Sequence, residues 1–439
     1  MELINKLNRI ICSKTSTDGV WVLSGFAINA MSSLVVASLL AKIFYEKDVA
    51  IYFLSFSFVT ILSTVSQLGQ NVAVVKILNN PNYIDHRLSY LVKMLLMIIV
   101  FNMLLAVILL TIPFTYMSTL LHTNADVYNY ITVVICWIFF LAIRSFIAEV
   151  FRGFHDIKRA AIYQRILPNT LLMLYLILVY YAGINIKLKI LLIAIVIINI
   201  GILIIGSNDL FRKIQGMTYV KGVNAAIAIK SGLPIVLGSV IQFLITQSPI
   251  WILTIVSSIE SVAAFGVAAR LAAVISMPLL IANNVLMPRV AKLFGMMDII
   301  EINRTLNYSV IITTSISVLI AIIFIVKGEW LLVQLFSESY TDAYTLLIIM
   351  SIGYLINVVV GSPALVLAMG GKEKYVFYSS ALAGILTFII CIKIIPLYGS
   401  IGAAIAASIG LSFLNICLVL FCYHLLNIKT YFTVPALKR

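Results

Sequence analysis

Two arginines, Arg144 and Arg270, sit inside long apolar stretches where hydrocarbon would otherwise surround them. A guanidinium at membrane depth has to be met by polar groups or water, so each is a candidate functional group. Its fork of N–H donors fits phosphate or carboxylate oxygens. Arg270 follows Ser261 by nine residues, which places it about 13 Å along a helix at roughly 1.5 Å per residue. Ala263, Gly266, Ala269 and Ala273 leave room around it. Anchoring by backbone carbonyls or a neighbouring helix is the alternative. Arg144 is shallower, about 8 Å from a helix end near Glu149, so snorkelling to the interface stays open for it.

Other polar residues recur at helical spacing. Gln242 and Thr246 form a stripe with Ser239 and Pro249, and Asn29 forms one with Gly25 and Ser32. These stripes predict a polar path for a substrate, against the alternative of hydrogen bonding between helices. Two carboxylates, Glu149 and Asp126, are candidates for coupling to H+ or Na+. Glu149 lies five positions beyond Arg144, roughly 140° around a helix, so its expected partner is Arg152. Lys76, Arg165 and Arg289 fall near the basic ends of their stretches, where they can gather anionic headgroups of membrane lipids.

The elements that carry these residues are read from composition. With 62% hydrophobic and 10% charged residues and a mean hydropathy of +1.12, the 439-residue chain cannot present a water-facing surface. A hydrocarbon core of about 30 Å takes about 20 helical residues. Twelve stretches meet that length, from Val20 to Ile43 through to Ile401 to Tyr423. The predicted fold class is an all-α integral membrane protein of about 12 transmembrane helices.

The net charge of +14 does not indicate nucleic acid. Of the 30 lysines and arginines, Lys42, Lys47, Lys187, Lys189, Lys327 and Lys393 fall on one side and Arg144 and Arg270 within the spans; all others share the opposite side. Positive charge marks the cytoplasmic face, so both termini are expected there. The basic lead before the first stretch reads as the flank of an uncleaved helix. The five cysteines have no metal or redox spacing, and no cofactor is expected.

The chain divides into residues 1–206, a basic linker at 207–232, and residues 233–439. Asp209 to Lys221 reads either as an amphipathic surface helix or as a plain linker. The halves look related. An offset of 213 carries Val49, Ala50, Ser63, Asn71 and Val72 onto Val262, Ala263, Ser276, Asn284 and Val285. Arg152 to His155 lines up with Met369 to Lys372. Six spans in each half imply a pseudo-two-fold axis along the membrane normal.

The connections R-G-F-H-D-I-K-R (Arg152 to Arg159), A-M-G-G-K-E-K (Ala368 to Lys374) and P-L-Y-G-S-I-G-A-A-I-A (Pro396 to Ala406) resemble a known family. It is that of the O-antigen-type polysaccharide flippases and exporters, in the superfamily that also holds multidrug and toxin extruders and lipid II flippases. The resemblance implies a bacterial inner-membrane transporter for an undecaprenyl-pyrophosphate-linked oligosaccharide, moved from inner to outer leaflet by alternating access. It also implies polysaccharide assembly proteins as partners. Lipid II flippases carry basic residues in their first two helices, whereas here both interiors are uncharged, which favours an O-unit or similar cargo.

Two rivals remain. A multidrug or cation extruder of the same fold would want carboxylates facing its cargo, and the first and seventh spans have none. A membrane polysaccharide polymerase or ligase would want a sizeable outer loop, and the outer segments are short. No Gly-rich nucleotide-phosphate loop is present, so the chain is not expected to hydrolyse ATP.

Overall fold

The computed structural model describes residues 14–111, 130–220 and 226–431. Among these residues no strand occurs. The helices are α1 (Lys14–Ile43), α2 (Glu46–Ser66), α3 (Gln70–Leu78), α4 (Arg87–Thr111), α5 (Ile131–Gly153), α6 (Ile157–Ala161), α7 (Leu167–Tyr181), α8 (Leu188–Ile214), α9 (Ala226–Val256), α10 (Ile259–Ala272), α11 (Met277–Gly295), α12 (Ile299–Leu335), α13 (Ala343–Val360), α14 (Pro363–Met369) and α15 (Glu373–Leu426).

Among the described residues, 11 helical stretches are long and apolar enough to cross a membrane. The last, α15, has 54 residues, about 80 Å if straight and far more than one crossing needs. It reverses at Gly399 (φ 55°, ψ −131°). Gly402 returns against the Ile394 carbonyl and Gly410 against Thr387, so the two arms run antiparallel. Counted separately, they give the twelve crossings that the hydropathy pattern predicts.

The lipid-facing surface is legible on α4. Leu96, Val100, Met103, Leu104 and Val107 form an exposed apolar stripe, while Leu91, Met94, Ile98 and Asn102 on the opposite side are buried. A helix facing water would carry polar residues on that exposed face.

The chain forms two compact units. One comprises residues 1–44 and 51–240, the other residues 45–50 and 241–439, and the division falls within α9. In the first unit, Ala142, Phe146, Val150 and Phe151 of α5 pack with Met94 and Ile98 of α4 and Ile202 of α8. In the second, Ile302 and Leu306 of α12 join Val366, Ala383, Leu414 and Leu418. Lipid tails are as apolar as these side chains, so close van der Waals fit and small residues hold the helices together. Gly353 of α13 accordingly meets Ser408 of α15, whose hydroxyl donates to the Ile349 carbonyl at 3.1 Å.

The two units repeat one turn. Phe154, His155 and Asp156 donate their N–H groups to the carbonyls of Val150, Arg152 and Phe151. Gly370, Gly371 and Lys372 donate to those of Val366, Ala368 and Leu367. His155 (φ 57°) matches Gly371 (φ 69°), both left-handed as such a helix end requires. The structural offset is therefore one residue shorter than the sequence register, which set His155 against Lys372. The hydrogen-bond ladder fixes the pairing, and the loose G-x motif does not.

A second correction concerns Asp209 to Lys221. Helix α8 continues unbroken to Ile214, because Asp209 is held by Tyr163 Oη at 2.6 Å and Arg159 Nε at 2.9 Å. The segment is therefore not a separate surface helix.

Candidate functional site

In the first unit the site is built on an irregularity. Between α6 and α7 the backbone makes a π turn at Ile162–Ile166. Leu167 N–H donates to the Ile162 carbonyl, five residues back, and not to that of Tyr163. The Tyr163 carbonyl is left to accept from Arg144 Nη1 of α5 at 3.3 Å. Arg144 is thus buried, 6% exposed, and does not snorkel to an interface. Its Nε has no hydrogen-bond partner.

The same turn presents Gln164 and Arg165. Glu149 of α5 accepts from Arg152 Nη1 at 2.8 Å on each oxygen and from Gln164 Nε2 at 2.9 Å. Arg152 Nη2 donates to Gln164 Oε1 at 2.9 Å, which closes the triangle. Arg165 lies in the electrostatic field of both Arg152 and Glu149. Its guanidinium stacks over the Phe26 ring of α1, 3.4 Å from the centroid, and its Nη1 is buried without a hydrogen-bond partner. One helical turn on, Asn169 Nδ2 donates to Asn29 Oδ1 at 2.8 Å. Helix α1 is therefore joined to the π turn through Arg165 and to α7 through Asn169.

The electrostatic balance of this cluster is cationic. Arg152 and Arg165 share a single carboxylate, Glu149, while Arg144 leans on a carbonyl. Two buried guanidinium nitrogens lack acceptors. Buried donors without acceptors are costly, at about 1–3 kcal/mol each, and an anionic oxygen would satisfy them.

Just outside the spans, Asp156 caps α6. It accepts from Arg159 Nη1 at 2.8 Å and Lys213 Nζ at 2.9 Å. Burial pushes its carboxyl upward, but hydrogen bonds from Lys213 and Arg159 outweigh burial and hold it below the ordinary carboxylate value.

In the second unit, Thr246, Phe265, Ala269, Met350, Tyr354 and Ser408 are among the residues lining a cavity of about 150 Å³. Arg270, next to Ala269, is half-buried and within electrostatic reach of Tyr354. Gln242 and Thr246 are exposed. The Thr246 hydroxyl donates to the Gln242 carbonyl of its own helix at 3.3 Å, a self-satisfied arrangement that it shares with Thr254 and Thr387. Arg289 is exposed and pairs with Glu301 at 2.9 Å. Lys76 is exposed on α3. Asp126 lies outside the described residues.

Of the residues singled out from sequence, Arg144, Glu149, Arg165 and Asn29 fall within the first unit's network, while in the second unit Thr246 lines the 150 Å³ cavity and Arg270 follows Ala269 of its lining. Phe26, Gln164 and Asn169 complete the first network and were not among them. A phenylalanine in an apolar stretch carries no signal, but the four-residue step from Arg165 to Asn169, facing the three-residue step from Phe26 to Asn29, does. No group of three or more His, Cys, Asp or Glu able to hold a metal occurs among the described residues.

A twelve-crossing, all-helical membrane protein built as two units of related pattern belongs to a recognisable class. Three solved transporters share the fold. A multidrug resistance MATE family transporter of the MOP superfamily, inward-facing, aligns with a TM-score of 0.70 at 14% identity over 92% of this chain and 97% of its own. MurJ, a lipid II flippase in an inward closed conformation, aligns with a TM-score of 0.71 at 16% identity over 90% and 86%. A MOP superfamily transporter from Pyrococcus furiosus, described as having a binding pocket of reverse polarity, aligns with a TM-score of 0.66 at 13% identity over 92% and 93%.

The chain belongs to the polysaccharide biosynthesis protein family, whose model matches residues 17–294. A MatE model matches residues 234–393. No curated protein matches the chain.

Proposed function

We propose that the protein is a flippase that carries an undecaprenyl-pyrophosphate-linked oligosaccharide, an O-antigen unit or a similar repeat, from the inner to the outer leaflet by alternating access. The observation that carries this reading is the cationic excess within the membrane spans. Arg152 pairs with the buried carboxylate Glu149 and Arg165 lies in its field, while Arg144 and Arg165 each keep one buried nitrogen without an acceptor. A pyrophosphate supplies anionic oxygens in the geometry that guanidinium groups fork onto. Asn29, Asn169 and Gln164 offer hydrogen-bonding groups of the kind that sugar hydroxyls match. The likeness of fold to a lipid II flippase supports a lipid-linked cargo.

In this reading the protein resides in the bacterial inner membrane with both termini cytoplasmic, and polysaccharide assembly proteins act on its product. Glu149 is the candidate for coupling to H+ or Na+. An extruder of cationic drugs is the less favoured use of the fold, because the carboxylate in the network, Glu149, already accepts from Arg152 and Gln164. A polymerase or ligase would need catalytic groups on the outer side, which nothing in the network supplies.

Arg270→Ala and Arg165→Gln are expected to abolish surface polysaccharide at normal protein level, with lipid-linked oligosaccharide accumulating on the cytoplasmic leaflet. Arg270→Lys should retain part of the activity. Normal surface polysaccharide in both neutral variants refutes the proposal, and accumulation of unpolymerised units on the outer leaflet points instead to the enzyme.

A further inference from the structure

In the second unit a groove of about 960 Å³ lies between α11 and α12. Its walls are aliphatic for most of their length, with Ile281 and Val285 of α11 facing Ile312 and Ile316 of α12. Ile312, Val285 and Ile316 are strongly exposed, at 60%, 54% and 44%. At one end the lining turns polar and basic, with Arg289, Glu301, Arg304 and Thr305.

Two features narrow the occupant. Charge comes first. Two guanidinium groups face one carboxylate in the lining; Arg289 takes Glu301 at 2.9 Å, and Arg304 leans over the Tyr308 ring at 5.9 Å. The Thr305 hydroxyl, one residue from Arg304, has no hydrogen-bond partner. This end suits an anionic headgroup with several acceptor oxygens.

Length comes second. From Glu301 to Ile320 the lining follows α12 for 19 residues, about 28 Å at roughly 1.5 Å per residue. The acyl chain of an ordinary phospholipid occupies one leaflet, about 15 Å or half of the hydrocarbon core. A groove that runs nearly the full depth of the core matches a chain longer than a leaflet.

We infer that the groove between α11 and α12 holds the tail of a long-chain polyprenyl phosphate, with Arg304, Arg289 and Thr305 holding its phosphate. The inference rests on the flippase reading for the identity of the lipid, and it assigns to that cargo a tail site apart from the buried arginines of the first unit. The groove is a loading site, and the phosphate leaves Arg304, Arg289 and Thr305 before the arginines of the first unit take it.

The test uses the full chain purified in detergent, with binding read by native mass spectrometry. The probes are undecaprenyl phosphate and dipalmitoyl phosphatidic acid. Wild type is expected to bind undecaprenyl phosphate about tenfold more tightly than the phosphatidate. Ile312→Trp and Val285→Trp, which fill the groove from opposite walls at exposed positions, should each weaken undecaprenyl phosphate by about tenfold or more. Arg304→Gln should weaken both probes. Leu319→Trp, on α12 but outside the lining and 61% exposed, should change neither. Equal affinity for the two lipids in wild type, or undecaprenyl phosphate binding unchanged in both tryptophan variants, overturns the assignment. No binding of undecaprenyl phosphate by wild type would remove the flippase reading as well, whereas binding that the tryptophans leave intact removes the groove alone.

Discussion

The Arg144 guanidinium donates to the Tyr163 carbonyl at 3.3 Å across two helices, at the carbonyl that the π turn leaves without its usual helical donor. An arginine that looks like a ligand-binding charge in the sequence is thus also the donor that completes a backbone. π turns of this kind cluster at functional sites, where they turn side chains out of regular register. Here the turn sends Gln164 toward Glu149 and Arg165 onto Phe26.

The two duties of Arg144 are separable. Arg144→Leu leaves the Tyr163 carbonyl buried and unpaired, and should lower stability by about 1–3 kcal/mol. Arg144→Gln keeps an N–H donor within the same space and should recover much of that loss. Thermal unfolding of the two variants in detergent measures the difference. Equal stability would mean that water or another donor already serves the carbonyl.

Glu149, Arg152 and Gln164 form a closed triangle, so their contributions should not add. A double-mutant cycle on Glu149→Gln and Arg152→Gln is expected to give a coupling energy of about 1–2 kcal/mol. That is below the roughly 3–5 kcal/mol cost of breaking a fully buried pair, because the Arg152 side chain is 39% exposed against 8% for Glu149, and solvent screens it. A coupling near zero in chemical denaturation would show that the triangle is only a surface ion pair.

Much of this arrangement could be read from the residues alone, and the reasons are physical. The crossings were legible because hydrocarbon admits only long apolar helices, so hydropathy and length suffice. Arg144 stood out because buried cations are rare. The Arg165 stack was hidden, since a phenylalanine among isoleucines and leucines has no distinguishing pattern. The π turn was hidden too, because one inserted residue does not disturb an apolar average. Gln242 and Thr246 looked like a polar path by spacing, yet Thr246 bonds its own helix. Spacing places side chains on a face but does not say which of them also bond their own helix, as the Thr246 hydroxyl does while it lines the cavity.

Asp156 predicts a pH dependence with a definite sign. Lys213 and Arg159 hold its carboxyl below the ordinary value of 3.8 in the folded state. A carboxylate depressed in this way contributes stability that is present above the unfolded value and is lost as pH falls through the folded one. Unfolding experiments between about pH 6 and pH 3 should therefore show wild type losing stability at the acid end. Asp156→Asn should start less stable at neutral pH and lose less on acidification. Parallel pH profiles for the two proteins would show that the contacts with Lys213 and Arg159 do not persist in solution.

Gly399 tests the hairpin within α15. Its backbone, at φ 55° and ψ −131°, lies where only glycine is at ease. The space is not the obstacle, because a methyl group there would meet Ser257 Oγ at an ordinary 3.6 Å. The cost of Gly399→Ala is therefore conformational, about 1–3 kcal/mol for a residue held in a sparsely populated region. Gly295 ends α11 with open space around it and no left-handed φ, so Gly295→Ala should cost far less. Comparing the thermal midpoints of the two variants measures the effect directly. If the two alanines prove equally harmless, the antiparallel arms do not depend on a sharp reversal at Gly399, and the chain turns there by some gentler path.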